Sequence, residues 1–481
     1  MADELLDLPV TDLLDGLAAG TWSSEDLTRA HIARLEEVNP LINAVTEARY
    51  DQALDEARAA DQRRATGAEG LPPLLGVPCT IKEFFAVQDM PWTGGLKHRS
   101  TVRADHDATA VARLKAAGAI ILATTNAPEG GLWMETYNDL YGRTNNPWDL
   151  RRTSGGSSGG EGAVVASGAS PFGLGSDVGG SIRIPAAFCG TFGHKPSGLT
   201  IPNTGHFPPA SPASEPYLCA GPLTRSARDL DLLLEILAGP DGVGPAYREH
   251  QRSEGEDGDL TGVRFLALET NGRISVRRPL RRAVRSAAEA LQARGATPID
   301  AELPGLRQAF EIWSAMLAEA TDVHYETILT GEAEMPLLRE LAALPFGRSN
   351  HTFAALALTT VDRLIAPFSG TRSRYIEAGR RLQAAVEEAL GPDGVLLHPP
   401  YSRPAPRHRD AWRTPFDAQY TAIFNVLELP VTVVPAGFEE RSLPLAIQVA
   451  ARRGNDALTL RVARALEDDL GGWVRAEPAR A

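Results

Sequence analysis

Between Gly155 and Gly190 the chain is dense in glycine and serine, yet Val164, Val165, Phe172, Leu174 and Ile182 recur among them. A solvated linker would not carry those apolar side chains. The stretch is therefore expected to fold, its small residues letting backbone segments approach closely around one place. Two clusters inside it set serine beside glycine: Gly155-Gly156-Ser157-Ser158-Gly159-Gly160 and Gly179-Gly180-Ser181-Ile182-Arg183. In the second, the N–H groups of Val178, Gly179, Gly180 and Ser181 are free to point at one spot, as stabilising an oxyanion requires. On its own that cluster also reads as a glycine-rich turn with a surface serine. The first cluster formally fits a Gly-x-Ser-x-Gly elbow, which needs a buried strand just upstream. Asn145, Asn146, Pro147, Asp149, Arg151 and Arg152 cannot supply one.

On either side the periodicity alternates between helix and strand. The first 65 or so residues read as helical, with Ser23 and Asp26 forming a capping box. Leu75 to Ile81 is short and apolar, like a buried strand, and Lys82 closes it. A lysine there is often only a surface residue at a strand end. Ala110 to Ala117 reads as a helix stopped by Gly118, and Ala119 to Ala123 as a second buried strand. Ser226 with Asp229 is expected to cap a helix running to Leu237. Leu382, Val386 and Leu390 share one face of a later helix that Gly391 and Pro392 end. Val395 to Leu397, Val431 to Val434 and Leu445 to Ala450 read as strands. Arg248 to Gly262 is polar and charged, an exposed loop. This order predicts an α/β fold with a mainly parallel or mixed sheet.

Length alone, at 481 residues, would suggest two or three domains. With 48 basic and 61 acidic residues the net charge is −13, which repels phosphate backbones and anionic lipid, so no nucleic acid or membrane surface is expected as partner. Three widely spaced cysteines, Cys79, Cys189 and Cys219, form no CxxC pair and signal neither a disulfide framework nor a zinc site. The acidic opening Met1-Ala2-Asp3-Glu4-Leu5 lacks a signal pattern, and no apolar run approaches a membrane span. The expected location is cytoplasmic.

Taken together, Lys82, the cluster Gly155 to Gly160 and the run Asp177-Val178-Gly179-Gly180-Ser181-Ile182-Arg183-Ile184-Pro185-Ala186 resemble the amidase signature family. Cys189-Gly190 and Gly193-His194-Lys195-Pro196 continue the likeness. Arg34-Leu35-Glu36-Glu37-Val38-Asn39-Pro40 is similar to the family's opening helix, and Asn425, Leu429-Pro430, Pro435-Ala436-Gly437 and Leu443-Pro444 to its closing segment. Gly160-Glu161-Gly162, Gly173-Leu174-Gly175-Ser176-Asp177, Phe188-Cys189-Gly190 and Gly205-His206-Phe207-Pro208 look most like the fatty acid amide hydrolase branch.

The resemblance implies one amidase domain over 1–481, with a signature core at about 70–250 and a substrate-pocket insert at about 300–390. A large mixed central β-sheet would be flanked by helices on both faces. It implies a serine amidase with Ser181 as nucleophile, Ser157 as proton relay and Lys82 as base, hydrolysing carboxylic amides through an acyl-enzyme. Esters, anilides and carbamates are within reach of the same chemistry. Asp177 and Arg183 would brace the loop without carrying protons. Glu129-Gly130-Gly131-Leu132-Trp133-Met134 would lie beside the acyl group, Gly131 offering its backbone and Trp133 narrowing the channel towards compact or aromatic acyl groups. Trp313 to Thr371 would supply the rest of the pocket.

No metal or organic cofactor is required. The expected partner is a small-molecule amide, with a homodimer left open. The alternatives are an amidotransferase subunit making ammonia for tRNA-dependent amidation and a non-catalytic protein retaining the fold.

The chemistry sets its own condition. Serine needs an adjacent base, and lysine serves only when neutral, which from a free pKa near 10.4 costs about 4.6 kcal/mol at pH 7. Burial without a carboxylate partner is expected to supply that shift, with Thr80, Ile81 and the Gly/Ser segments as uncharged surroundings. Glu83 is expected on the opposite face of the strand. His194 is not expected in a Ser–His–Asp triad, and Cys189 is expected to be a packed small residue.

Overall fold

The computed structural model describes residues 2–67, 69–250, 258–321, 325–332, 335–365, 372–439 and 443–479. Residues 251–257 of the expected loop, and residues 322–324, 333–334 and 366–371 of the expected pocket segment, lie outside them. Eleven strands form one sheet: β1 (Val45–Ala48), β2 (Pro78–Lys82), β3 (Ile120–Thr125), β4 (Phe172–Asp177), β5 (Phe192–Lys195), β6 (Cys219–Thr224), β7 (Arg264–Ala267), β8 (Thr297–Pro298), β9 (Gly394–His398), β10 (Val431–Phe438) and β11 (Pro444–Ala451). Their order is β1-β3-β2-β4-β6-β5-β10-β11-β9-β7-β8. β2 runs parallel to β3 and β4, β7 parallel to β8 and β9, and the other pairs are antiparallel, so the sheet is mixed as expected.

Alternation along the strands builds a core on each face. Cys79, Ile81, Phe172, Leu174, Val395, Leu397, Ile447 and Val449 enter one core, packed with the helices Val10–Ala19, Thr109–Ala116, Ala227–Leu237, Arg278–Ala293 and Asp456–Leu470. Leu396, Val431 and Ala450 turn the other way, onto Ala309–Ala320, Arg372–Leu390 and Gln419–Val426. Leu122 and Ala123 join Ala53, Ala57, Ala163 and Val164 there, and Val433 and Ala446 join Ile182 and Ile184. Helices thus cover both faces.

Most predicted elements form within a few residues of their expected limits. The capping box at Ser23 is complete: Asp26 N–H donates to Ser23 Oγ, and Ser23 N–H donates to the Asp26 carboxylate. Two expectations fail. The opening region is not wholly helical, because Val45–Ala48 pairs antiparallel with β3 as an edge strand. Ser226 caps the helix Ala227–Leu237 without Asp229, accepting from Arg228 N–H at 3.3 Å, while Glu467 accepts the Ala227 N–H at 3.0 Å. Asp229 instead takes the N–H groups of Val10 and Thr11 at 2.9 and 3.0 Å, satisfying the start of another helix. The Gly/Ser-rich stretch folds into Gly159–Ala166, β4 and Arg183–Cys189, nearly all of it buried. Upstream of the first cluster, Asp149–Thr153 pairs with Asn145–Asn146 in a two-stranded ribbon outside the main sheet, with one further bridge from Arg152 to Arg407. An esterase-type elbow has no footing there.

Candidate active site

Lys82 is the last residue of β2, a central strand with parallel neighbours on both sides. Its side chain is wholly buried. Nζ lies 2.7 Å from Ser157 Oγ and 3.0 Å from Ser176 Oγ, and 4.5 Å from the centre of the Phe84 ring. Ser157 follows a cis peptide bond with Gly156. A side chain at Gly156 would meet the Trp133 carbonyl at 2.8 Å, so only glycine lets the segments meet. Burial pushes the Lys82 ammonium down to about 7, against the opposing pull of Asp177 and Glu161.

Glu161 corrects the expectation of uncharged surroundings. Its carboxylate is buried beneath the site, accepting from Thr80 Oγ1 at 2.6 Å and Thr125 Oγ1 at 2.7 Å. Burial raises its own acid to about 7, against the Thr80 and Thr125 hydroxyls and the Lys82 charge, which pull it down. Glu161 falls in a motif that carries the resemblance, but its buried place beneath Lys82 does not follow from the sequence, since an acid in a run of glycines reads as a surface residue. Glu83 is turned to Thr93, Gly94 and Tyr141, with Oε1 accepting from Thr93 N–H at 2.6 Å and Oε2 from Gly94 N–H at 2.9 Å.

The loop after β4 is held from several directions. Asp177, at the strand end, accepts from Gly180 N–H at 2.7 Å, Ile182 N–H at 3.1 Å, and Arg183 Nη2 at 2.9 Å. Burial alone would raise its acid, but the Arg183 guanidinium outweighs that and keeps the carboxyl well below the usual range. Arg183 also donates to the Thr421 carbonyl at 2.8 Å and to Asn425 Oδ1 at 2.6 Å. Trp313 Nε1 donates to the Val178 carbonyl at 3.1 Å, and Thr421 Oγ1 to the Gly179 carbonyl at 2.8 Å.

Because a trans peptide opposes its C=O and N–H, tying the Val178 carbonyl to Trp313 turns the Gly179 N–H the other way. One expected donor is lost, since the Gly180 N–H is occupied by Asp177. Among the described residues the N–H groups of Val178, Gly179 and Ser181 have no protein partner. Val178, Gly179 and Ser181 are partly exposed, whereas Asp177 and Arg183 are buried. Ser181 is drawn to the first cluster by its carbonyl, which accepts from Ser158 N–H at 3.0 Å.

Gly131 is partly exposed, with φ +79°, against the Phe84 ring. Its N–H is already committed to the Pro128 carbonyl at 3.0 Å, which leaves its carbonyl as the backbone it offers. Trp133 is buried and stacks on Trp412 with centroids 4.1 Å apart, and Trp412 meets Phe353 edge-on. His194 is bonded to Thr432 and Asp456, on β5, and Cys189 Sγ rests against the Ser154 carbonyl, its thiol pushed up by burial. The contributions of Asn425, Thr421, Ser176 and His206 do not follow from the sequence, though Asn425, Ser176 and His206 fall within the segments that carry the resemblance.

Among the described residues no cluster of three or more His, Cys, Asp or Glu is placed to hold a metal. No helix there is long and apolar enough to cross a membrane.

The amidase family profile matches residues 26–460. The chain is 40% identical to fatty-acid amide hydrolase 2-B of Danio rerio, over 98% of this chain and 91% of that one. It is 32% identical to a glutamyl-tRNA(Gln) amidotransferase subunit of Roseiflexus castenholzii, over 96% of each. The fold superposes on 6-aminohexanoate cyclic dimer hydrolase, solved with its substrate, with a TM-score of 0.78 at 27% identity, covering 97% of both chains. The chain belongs to the amidase signature family, and it is an amidohydrolase acting on carbon–nitrogen bonds.

Proposed function

We propose that the chain hydrolyses small carboxylic amides to acid and amine or ammonia by a Ser181–Ser157–Lys82 mechanism, as a cytoplasmic enzyme. The observation that carries it is a buried lysine amine, held down to about 7, within 2.7 Å of Ser157 Oγ. The neutral amine takes the Ser157 proton as Ser157 takes that of Ser181. The Ser181 oxygen then attacks the amide carbonyl carbon. The carbonyl oxygen gains charge, and the N–H groups of Val178, Gly179 and Ser181 are the available donors for it. Collapse expels the amine, which collects the proton back from Lys82 through Ser157. Water repeats the sequence on the ester and releases the acid. Asp177 and Arg183 hold the loop and carry no proton.

An acyl group of compact or aromatic shape is the substrate class we favour. The Trp313 indole stands 3.3 Å from the position a Gly179 side chain would occupy, at the loop itself. Turnover of a panel of short, aryl and long-chain acyl amides, with esters, anilides and carbamates alongside, tests this. A preference for short or aryl acyl groups supports the reading, and a clear preference for long chains overturns it. Ser181→Ala and Lys82→Ala are expected to be inactive throughout.

The likeness to an amidotransferase subunit favours a second reading, in which ammonia is the useful product. Copurification of a second chain and tRNA would favour it; glutaminase activity absent and amide turnover present in the purified chain would exclude it.

A further inference from the structure

Ser176 and His206 form a short hydrogen-bonded chain ending on the amine of Lys82. Ser176 Oγ is 3.0 Å from Lys82 Nζ and 2.9 Å from His206 Nε2. The other ring nitrogen, Nδ1, is 2.9 Å from the Pro208 carbonyl. A carbonyl can only accept, so Nδ1 carries a proton. Burial first, and the charge of Lys82 second, hold the imidazolium of His206 down to about 3. The ring is therefore neutral in the working range, and Nε2 must accept. Ser176 has one hydroxyl proton and gives it to Nε2. Its oxygen then faces Lys82 with lone pairs only. A neutral amine has two N–H bonds and one lone pair. With an N–H taken by Ser176, the lone pair is left for the Ser157 hydroxyl.

We propose that His206 is a positioning residue: by holding the proton of Ser176 away from Lys82, it directs the amine lone pair to Ser157. This rests on the reading of Lys82 as the base. Without an acceptor at 206, the Ser176 hydroxyl is free to donate to that lone pair and compete with Ser157. The charged groups acting on Lys82 are Asp177 and Glu161, and the one acting on His206 is Lys82 itself. Glu83, next to Lys82 in the chain, is turned to Thr93 and Gly94. Phe84 and Phe85 meet the His206 ring edge-on, with centroids 5.8 and 4.9 Å away.

The test uses the full chain with His206→Leu, His206→Gln, Ser176→Ala and the combined Ser176→Ala/His206→Leu, measuring kcat and KM for a small amide across the neutral pH range. His206→Leu is expected to lower kcat about ten- to a hundredfold at little cost in KM. It should also move the acidic limb of kcat/KM to lower pH, because a hydroxyl donating to the neutral amine stabilises it. His206→Gln, whose amide oxygen accepts from Ser176, should recover most of the rate. The combined variant should be no slower than Ser176→Ala alone.

An unmoved acidic limb in His206→Leu, no recovery by His206→Gln, or additive losses would overturn the proposal. Lys82→Ala separates the two claims. If it retains turnover, the base reading falls and this proposal with it; if it is inactive while the His206→Leu limb stays put, only the positioning role falls.

Discussion

On the proposed mechanism a single side chain, Lys82, has to be uncharged, and the burial that makes it so costs the fold stability while serving the chemistry. Its amine shifts from the ordinary 10.5 to about 7. Between those values the unfolded chain binds the extra proton, so stability rises with pH across that window and the burden on the fold is greatest below it. On the proposed mechanism, activity follows the same proton. A base that works neutral gives kcat/KM rising with pH through about 7, and a pH profile on a small amide should show that acidic limb. Lys82→Met should lower kcat by about a hundred- to ten-thousandfold while raising the urea midpoint at pH 7, since the buried amine is gone. A lowered midpoint would mean that the amine contributes net stability. The meeting of Lys82 with Ser157 was foreshadowed only by the resemblance, since alone a lysine at a strand end and a serine among glycines read as surface residues. The roles of Glu161, Ser176 and His206 were not legible, because they depend on contacts across β2, β4 and a distant loop that no local pattern encodes.

The loop from Asp177 to Arg183 is the element on which the proposed chemistry depends. It turns through Gly180 at φ +121°, where a side chain would stand 2.1 Å from Thr421 Oγ1. Gly180→Ala is expected to cost on the order of 1–3 kcal/mol and to reduce turnover sharply, seen as a lower urea midpoint and lower kcat. Asp177→Asn removes the partner of a fully buried guanidinium, and breaking such a pair typically costs about 3–5 kcal/mol. Chemical denaturation should show that loss. At this scale the sequence was informative wherever one period dominated, as in β2, β9 and the helix carrying Leu382, Val386 and Leu390. It was silent for Val45–Ala48, a four-residue edge strand that exists only because β3 offers it a partner. Asp229 misled for a related reason: a capping acid looks the same whether it serves its own helix or another.

Across the whole molecule, the site is assembled from chain segments far apart and locked by the closing segment. Asn425 Nδ2 donates to the Asp177 carbonyl at 2.9 Å while its Oδ1 receives Arg183 Nη2, and Gln448 Nε2 donates to the Tyr420 carbonyl at 2.7 Å. Asn425→Leu would leave a buried carbonyl and a guanidinium N–H unpaired, at about 1–3 kcal/mol. Its signature would be lower stability together with slower turnover, as the loop loses its anchor. The mixed sheet and its two helical layers were readable from alternating periods and from the resemblance, whereas strand order was not, because β2, β3 and β4 meet only in space.

The sharpest test of Lys82 as the base for Ser181 is the rate at which a serine-directed phosphonate modifies the protein as pH is varied, with the modified peptide identified by mass spectrometry. A single label on Ser181 is expected, at a rate rising with pH through about 7, with labelling lost in Lys82→Ala. Labelling at another residue, or a Ser181 rate indifferent to Lys82, would contradict the mechanism.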